Sequence, residues 1–118
     1  MGALDVDGAL ELVTDDLVLE LPFRHDGGAR TLSGGDARRF MRLLPALLDE
    51  LRFEDITIHG ALPSGEIVAE YRGNGRTRSG RPYRNTYVGF FTVHDGLVSR
   101  WREFFDPIVT SESFREAN

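Results

Sequence analysis

The sequence predicts an α+β fold with a curved antiparallel sheet, and three observations carry that prediction. Apolar residues at helical spacing fall in the first half of the chain, period-two alternation fills the second half, and no helical segment separates the later strands. A parallel, doubly wound sheet would need helices between those strands. The 118 residues, 41 % hydrophobic, suffice for one core but not two, so residues 1–118 are read as a single domain.

The elements follow in order. Asp5 stands at an N-cap position, and the apolar spacing from Val6 to Val13 predicts a short helix. Leu17, Leu19 and Leu21 alternate with Asp16, Val18 and Glu20, which predicts a strand over Asp16 to Leu21 that Pro22 terminates. From Arg24 to Gly35 the groups Asp26-Gly27-Gly28 and Ser33-Gly34-Gly35 predict a flexible connection. Asp36 then caps the main core helix, whose apolar stripe is Phe40, Met41, Leu43, Leu44, Leu47, Leu48 and Leu51. Pro45 lies inside that stretch and removes a backbone donor, so the helix is expected to kink there or to be two pieces.

Four strands complete the chain. Phe53 to Leu62 places Ile56, Ile58 and Leu62 on one face, and Pro63-Ser64-Gly65 makes the turn. Glu66 to Arg76 alternates Ile67, Ala69 and Tyr71 against Val68, Glu70 and Arg72, while Gly73 and Gly75 suggest a bulge or bend where the sheet curls. Tyr83 to Val93 and Leu97 to Asp106 join through His94-Asp95-Gly96, the strongest hairpin signal in the chain. The tail over 110–118 is short and polar and is expected to fray.

Composition excludes several functions. No cysteine is present, so there is no disulfide framework, no thiolate nucleophile and no zinc site built on Cys. The net charge of −5 disfavours phosphate backbones. The one basic cluster, Arg72, Arg76, Arg78, Arg81 and Arg84, lacks the interleaved aromatics of a single-strand binder, so no nucleic acid partner is expected. It reads as a solvated strand face and turn, with an anionic ligand or a facing acidic subunit as the alternative. No apolar run approaches the roughly 20 residues that cross a bilayer, and the N-terminus lacks the pattern of a signal peptide, so the chain is read as cytoplasmic, with no membrane partner. His25, His59 and His94 are too scattered for a metal set; His59 and His94 read as solvated, and His25 as a residue near a pocket mouth.

The last hairpin decides which side chains meet, because a one-residue change of register moves every side chain to the other face. A two-residue Asp95-Gly96 turn places Val88 and Phe90 beside Trp101 and Glu103. A three-residue loop, with Gly96 left-handed, pairs Val93 with Leu97 and brings Tyr87 opposite Glu103. The three-residue loop is favoured because it gathers Asn85, Tyr87 and Glu103 on one face with Phe91, Trp101 and Phe105. On such a dry surface the charged form of Glu103 is disfavoured, which raises its pKa toward the range of a general acid or base. The alternative is a strand carboxylate paired with Arg84 or Arg102 on an exposed sheet.

Ser79-Gly80-Arg81-Pro82-Tyr83-Arg84-Asn85-Thr86-Tyr87-Val88-Gly89-Phe90-Phe91, then Asp95-Gly96-Leu97-Val98 and Trp101-Arg102-Glu103-Phe104-Phe105-Asp106-Pro107, resembles the closing half of SnoaL-like domains. The stretch from Asp5 to Pro22 resembles that family's second helix and first strand, and Gly34-Gly35-Asp36 the loop that opens its third helix. The resemblance implies the cone-shaped, cystatin-like fold of the nuclear transport factor two superfamily, with N-terminal helices and a curved sheet around a pocket. It also implies homodimers through the outer sheet face. Relatives there include ketosteroid isomerase, limonene epoxide hydrolase, polyketide cyclases and the phenazine biosynthesis A/B proteins. In the epoxide hydrolase and the phenazine proteins the acidic residue matching Glu103 points into the pocket and takes part in the chemistry. Two departures stand out. The family's long first helix has no counterpart before Asp5, so the pocket is open, covered by a partner, or the start codon is misassigned. The strand Ile67 to Arg72 has no Asp, which argues against an epoxide hydrolase's Asp-Arg-Asp set.

The expected function is that of a small-molecule pocket protein, a cofactor-free isomerase or cyclase acting by general acid/base chemistry on a hydrophobic carbonyl compound. Glu103 moves the proton, and Tyr87 and Asn85 donate to the developing oxyanion. Trp101, Tyr71, Phe91, Phe105, Phe40, Leu44 and His25 line the ligand site. The competing expectation is a non-catalytic ligand-binding or dimerisation module.

Overall fold

In the computed structural model, which describes residues 6–23 and 30–114, three helices accompany a six-stranded sheet. The elements are α1 (Val6–Leu10), β1 (Val13–Leu21), β2 (Arg30–Ser33), α2 (Gly35–Leu47), β3 (Leu48–Ala61), β4 (Ile67–Thr77), β5 (Pro82–His94), β6 (Leu97–Phe105) and α3 (Pro107–Phe114). The sheet order is β2-β1-β6-β5-β4-β3. Its pairs are antiparallel except β1 with β6, which run parallel with Leu19 opposite Trp101, so the sheet is mixed where a wholly antiparallel one is expected. The parallel pair arises because α2 carries the chain from β2 at one edge to β3 at the other, and the successive hairpins then bring β6 back beside β1.

The helical expectations need three corrections. α2 ends at Leu47, and Leu48 is already extended at φ −126°, so Leu48 and Leu51 are buried strand residues and not part of the helical stripe. Pro45 sits in the last turn of α2, which is one helix over Gly35–Leu47 and not two pieces. Of the stripe, Met41 is buried, Phe40 and Leu44 are half-buried, and Leu43 and Leu47 are exposed. At the other end of the chain α3 spans Pro107–Phe114, so 110–114 of the expected frayed tail are helical. Asp106 starts that helix by accepting the Ile108 amide at 2.9 Å.

Two strand boundaries also move. β1 begins at Val13, and residues 30–33, expected in the flexible connection, form β2 against it with Leu32 opposite Leu19. β3 is an edge strand broken at Asp55, which has φ 52°, and at Gly60, with φ 104°. Being on the edge, its Ile56 and Ile58 are 61 % and 67 % exposed.

Gly73 and Gly75 are not bulged: the β4–β5 register runs unbroken from Ile67 opposite Phe91 to Arg76 opposite Pro82. Their need is for room. A Cβ on Gly75 would overlap the carbonyl oxygen of Glu50 in β3, and one on Gly73 would meet the Tyr87 ring at 2.7 Å. At these two positions the neighbouring β3 backbone and the Tyr87 ring come too close for a side chain.

The last hairpin has a two-residue turn, with His94 opposite Leu97 and Asp95 and Gly96 at φ 51° and 80°. Both central residues are left-handed, as a type I′ turn requires. The three-residue loop is therefore incorrect. Between the pairs Val93–Val98 and Thr92–Arg100, however, Ser99 is an extra residue in β6. This bulge restores the face that the turn alone would reverse. Beyond it Phe91 faces Trp101, Gly89 faces Glu103 and Tyr87 faces Phe105.

Two apolar clusters meet on the concave side. One joins Leu17, Leu19 and Leu21 of β1 to Ala37 and Met41 of α2. The other joins Leu48, Leu51, Ala69, Tyr71, Tyr83 and Tyr87. Phe105 packs against both. No described helix is long and apolar enough to cross a membrane.

Candidate functional site

Odd-numbered residues of β4, β5 and β6 share the concave face, so Tyr71, Tyr83, Asn85, Tyr87, Phe91, Trp101, Glu103 and Phe105 come to one surface. Glu103 is 9 % exposed, and no arginine pairs with it among the described residues. The exposed salt-bridge alternative is thereby removed. Its Oε2 accepts a hydrogen bond from the Tyr71 hydroxyl at 2.7 Å. Burial pushes its carboxyl up to about 7, against the opposing effects of Tyr71 and of Trp101, both of which favour the ionised form. The Trp101 Nε1 is buried without a hydrogen-bond partner of good geometry, so its influence on the carboxyl acts as a nearby dipole. Tyr71 from β4 and Tyr83 and Tyr87 from β5 are the titratable groups that sense the Glu103 charge. Burial raises all three phenols, so each remains a neutral donor at physiological pH.

Tyr71 and Tyr87 stack with ring centroids 5.4 Å apart and an interplanar angle of 15°, and Phe53 meets both edge-on. Phe91 stacks on Trp101 at 5.7 Å and Phe105 lies 6.2 Å from Tyr87. The carboxyl therefore sits among aromatic rings. Phe40 packs on the first cluster from α2, and half-buried Leu44 follows one turn later. His25 lies outside the described residues.

Asn85 is 6 % exposed and fully engaged within the chain. Its Oδ1 accepts the amides of Thr86 and Asp106 at 2.9 and 3.0 Å. Its Nδ2 donates to the Asp106 carbonyl at 3.1 Å, and to the Tyr83 and Thr110 hydroxyls at 3.2 Å. It ties β5 to the start of α3. The Tyr87 hydroxyl is 2.5 Å from that of Tyr83, a residue the sequence reading did not single out. Spacing could have found it, since Tyr83 and Tyr87 are four apart on one strand and must share a face.

A depression of about 430 Å³ lies largely against the opposite face of the same strands, with the even-numbered Glu54, Arg72, Asn74 and Arg84 on its wall beside Asp55 and Asp106. Of the expected site residues it includes Asn85 alone. The rest of the basic cluster is held internally: Arg76 by Glu50 at 3.7 Å, Arg78 by Asp49 at 2.9 Å and Arg81 by the Glu112 carbonyl at 3.0 Å. His59 is half-exposed beside Glu70, and His94 is exposed beside Asp95. Among the described residues no three His, Asp or Glu side chains gather as a metal site requires.

Comparison with known proteins agrees with this architecture. The family model described as SnoaL-like domain matches residues 1–101. The protein YesE of Bacillus subtilis is 26 % identical over 112 residues, which cover 93 % of this chain and 76 % of that one. A crystal structure of a candidate isomerase from Bacillus subtilis superposes with a TM-score of 0.84 at 25 % identity, covering 94 % of this chain and 81 % of that one. A candidate polyketide cyclase from Pseudomonas putida shares the fold, with a TM-score of 0.72 at 18 % identity over 94 % of this chain and 86 % of that one. The fold is the expected one of the nuclear transport factor two type.

Proposed function

Because this chain belongs to the SnoaL-like domain family, we propose that it is a cofactor-free isomerase or cyclase that moves a proton on a hydrophobic carbonyl compound, with Glu103 as the acid and base. The observation that supports this most is a carboxyl with pKa about 7, buried among aromatic rings and held by one phenol. At neutral pH it is divided between both forms, so it can take a proton from the carbon next to a carbonyl and return it elsewhere. The electrons of the broken C–H bond move onto the carbonyl oxygen as an enolate. Once Glu103 carries the proton, the Tyr71 hydroxyl no longer has a carboxylate to donate to and can turn to the enolate oxygen, with the Tyr87 hydroxyl as a second neutral phenol on the same face. Asn85 has no free donor, and its role is to hold the strand on which Tyr87 stands. Phe91, Trp101 and Phe105 supply the apolar surface for the substrate.

The test is exchange of the α-hydrogen for solvent deuterium, followed by NMR over a panel of cyclic and aromatic ketones. The wild type should catalyse exchange, and Glu103→Gln should lose roughly 100-fold or more while keeping its far-UV spectrum. Ketones that bind without exchange would instead support a non-catalytic binding module. The internal pairing of Tyr83, Tyr87 and Asn85 favours that second reading.

The outer sheet face suits a second copy of the chain. Val88 faces Phe104 there, Phe23 meets Phe104 at 5.6 Å, and Arg102 lies 4.6 Å over the Phe90 ring with its Nε buried and unpartnered. Sedimentation should give a dimer for the wild type and a monomer for Phe90→Glu; a dimer in both would place the interface elsewhere.

A further inference from the structure

Tyr71 and Glu103 stand on strands that are not neighbours, since β5 runs between β4 and β6. Adjacent strands are roughly 4.8 Å apart, so the Tyr71 side chain must lean across the whole width of β5 to place its hydroxyl 2.7 Å from the carboxylate. The β5 residue directly opposite Glu103 is Gly89, which on its other side faces Ala69. A Cβ on Gly89 would lie 2.8 Å from the Tyr71 hydroxyl and 2.6 Å from the edge of the Phe91 ring. Gly89 does not have a positive φ, so its backbone needs no glycine. What the position requires is an empty space above the strand.

We propose that Gly89 is a positioning residue of this site: its missing side chain is the gap through which Tyr71 reaches Glu103. The role in turnover rests on the acid/base reading above, whereas the hold on Tyr71 is a property of the fold. The atoms that a methyl group would displace are the ends of side chains and not backbone. Gly89→Ala should therefore fold, with the Tyr71 hydroxyl pushed off the carboxylate. The bond that is lost favours the ionised form, so the Glu103 pKa should rise.

The experiment is a double-mutant cycle read by the ¹³C chemical shift of the Glu103 carboxyl, titrated in wild type, Gly89→Ala, Tyr71→Phe and the double variant. Tyr71→Phe is expected to raise the Glu103 pKa by about one pH unit. Gly89→Ala should reproduce most of that rise, and the double variant should match Tyr71→Phe alone. A Gly89→Ala value equal to or below that of wild type, or effects that simply add, would overturn the proposal. Should Gly89→Ala fail to fold, the same cycle in a Phe91→Leu background removes the ring contact and leaves the Tyr71 contact to be read. A wild-type Glu103 with an ordinary pKa would sink the acid/base reading instead, while the cycle still reports whether Gly89 governs Tyr71.

Discussion

Glu103→Gln is expected to be more stable than the wild type by about 3 kcal/mol at pH 8 and nearly equal to it at pH 4. The carboxyl has a folded pKa of about 7 against an ordinary 4.5, raised chiefly by burial. The folded state thus binds the proton more tightly than the unfolded state. Stability from this group is fully present below about pH 4.5, falls as the pH rises between the two values, and is lost above 7. Glutamine removes the ionisation and keeps an oxygen that Tyr71 can still donate to. Urea denaturation at pH 4, 6 and 8 measures the difference. Parallel pH profiles for the two proteins would mean that the carboxyl is solvated. Combined with loss of exchange activity, the expected result would show a protein destabilised by the group it uses.

Gly75→Ala is expected to cost about 3 kcal/mol, the upper end for overpacking. The added Cβ would overlap the Glu50 carbonyl oxygen and lie 3.1 Å from the Leu51 Cα, and both belong to the backbone of β3. Leu51 is buried in the second cluster, so β3 cannot move away without opening that core. The contrast with Gly89→Ala, where side-chain ends can give way, makes the pair informative. A loss below about 0.5 kcal/mol, the usual range for an innocuous surface change, would mean that the two strands part easily.

The alternation of Leu17, Leu19 and Leu21, of Ile67, Ala69 and Tyr71, and of the last hairpin made the strands legible, because each buries one face. Asn85 and Tyr87 were legible by the same parity, whereas Glu103 joins them through the bulge at Ser99 and not through the three-residue loop expected. Less was visible where local pattern and tertiary context disagree. Leu48 and Leu51 continue the helical spacing of α2, yet Pro45 and the start of β3 take them into the sheet. The four residues of β2 carry no strand pattern of their own and are fixed by pairing with β1. The Tyr71–Glu103 bond depends on a side chain spanning two strand spacings, which no spacing along the chain reveals. For Asn85, residue type suggested a substrate donor, whereas the start of α3 claims its amide.

The extra residue at Ser99 has a bearing on how this hairpin could change over generations. A two-residue turn with the bulge and a three-residue turn without it present the same side chains to the concave face, but they slide β6 by two residues against β5. Shortening one device without altering the other would exchange Glu103 for Arg102 or Phe104 on that face, so a one-residue deletion is disastrous alone and tolerable when paired with an insertion at the turn. Lineages that swap one solution for the other would keep a carboxylate in the cone while moving it along the cone's axis by about 7 Å. Such compensated length changes offer a route by which one scaffold comes to serve substrates of different length.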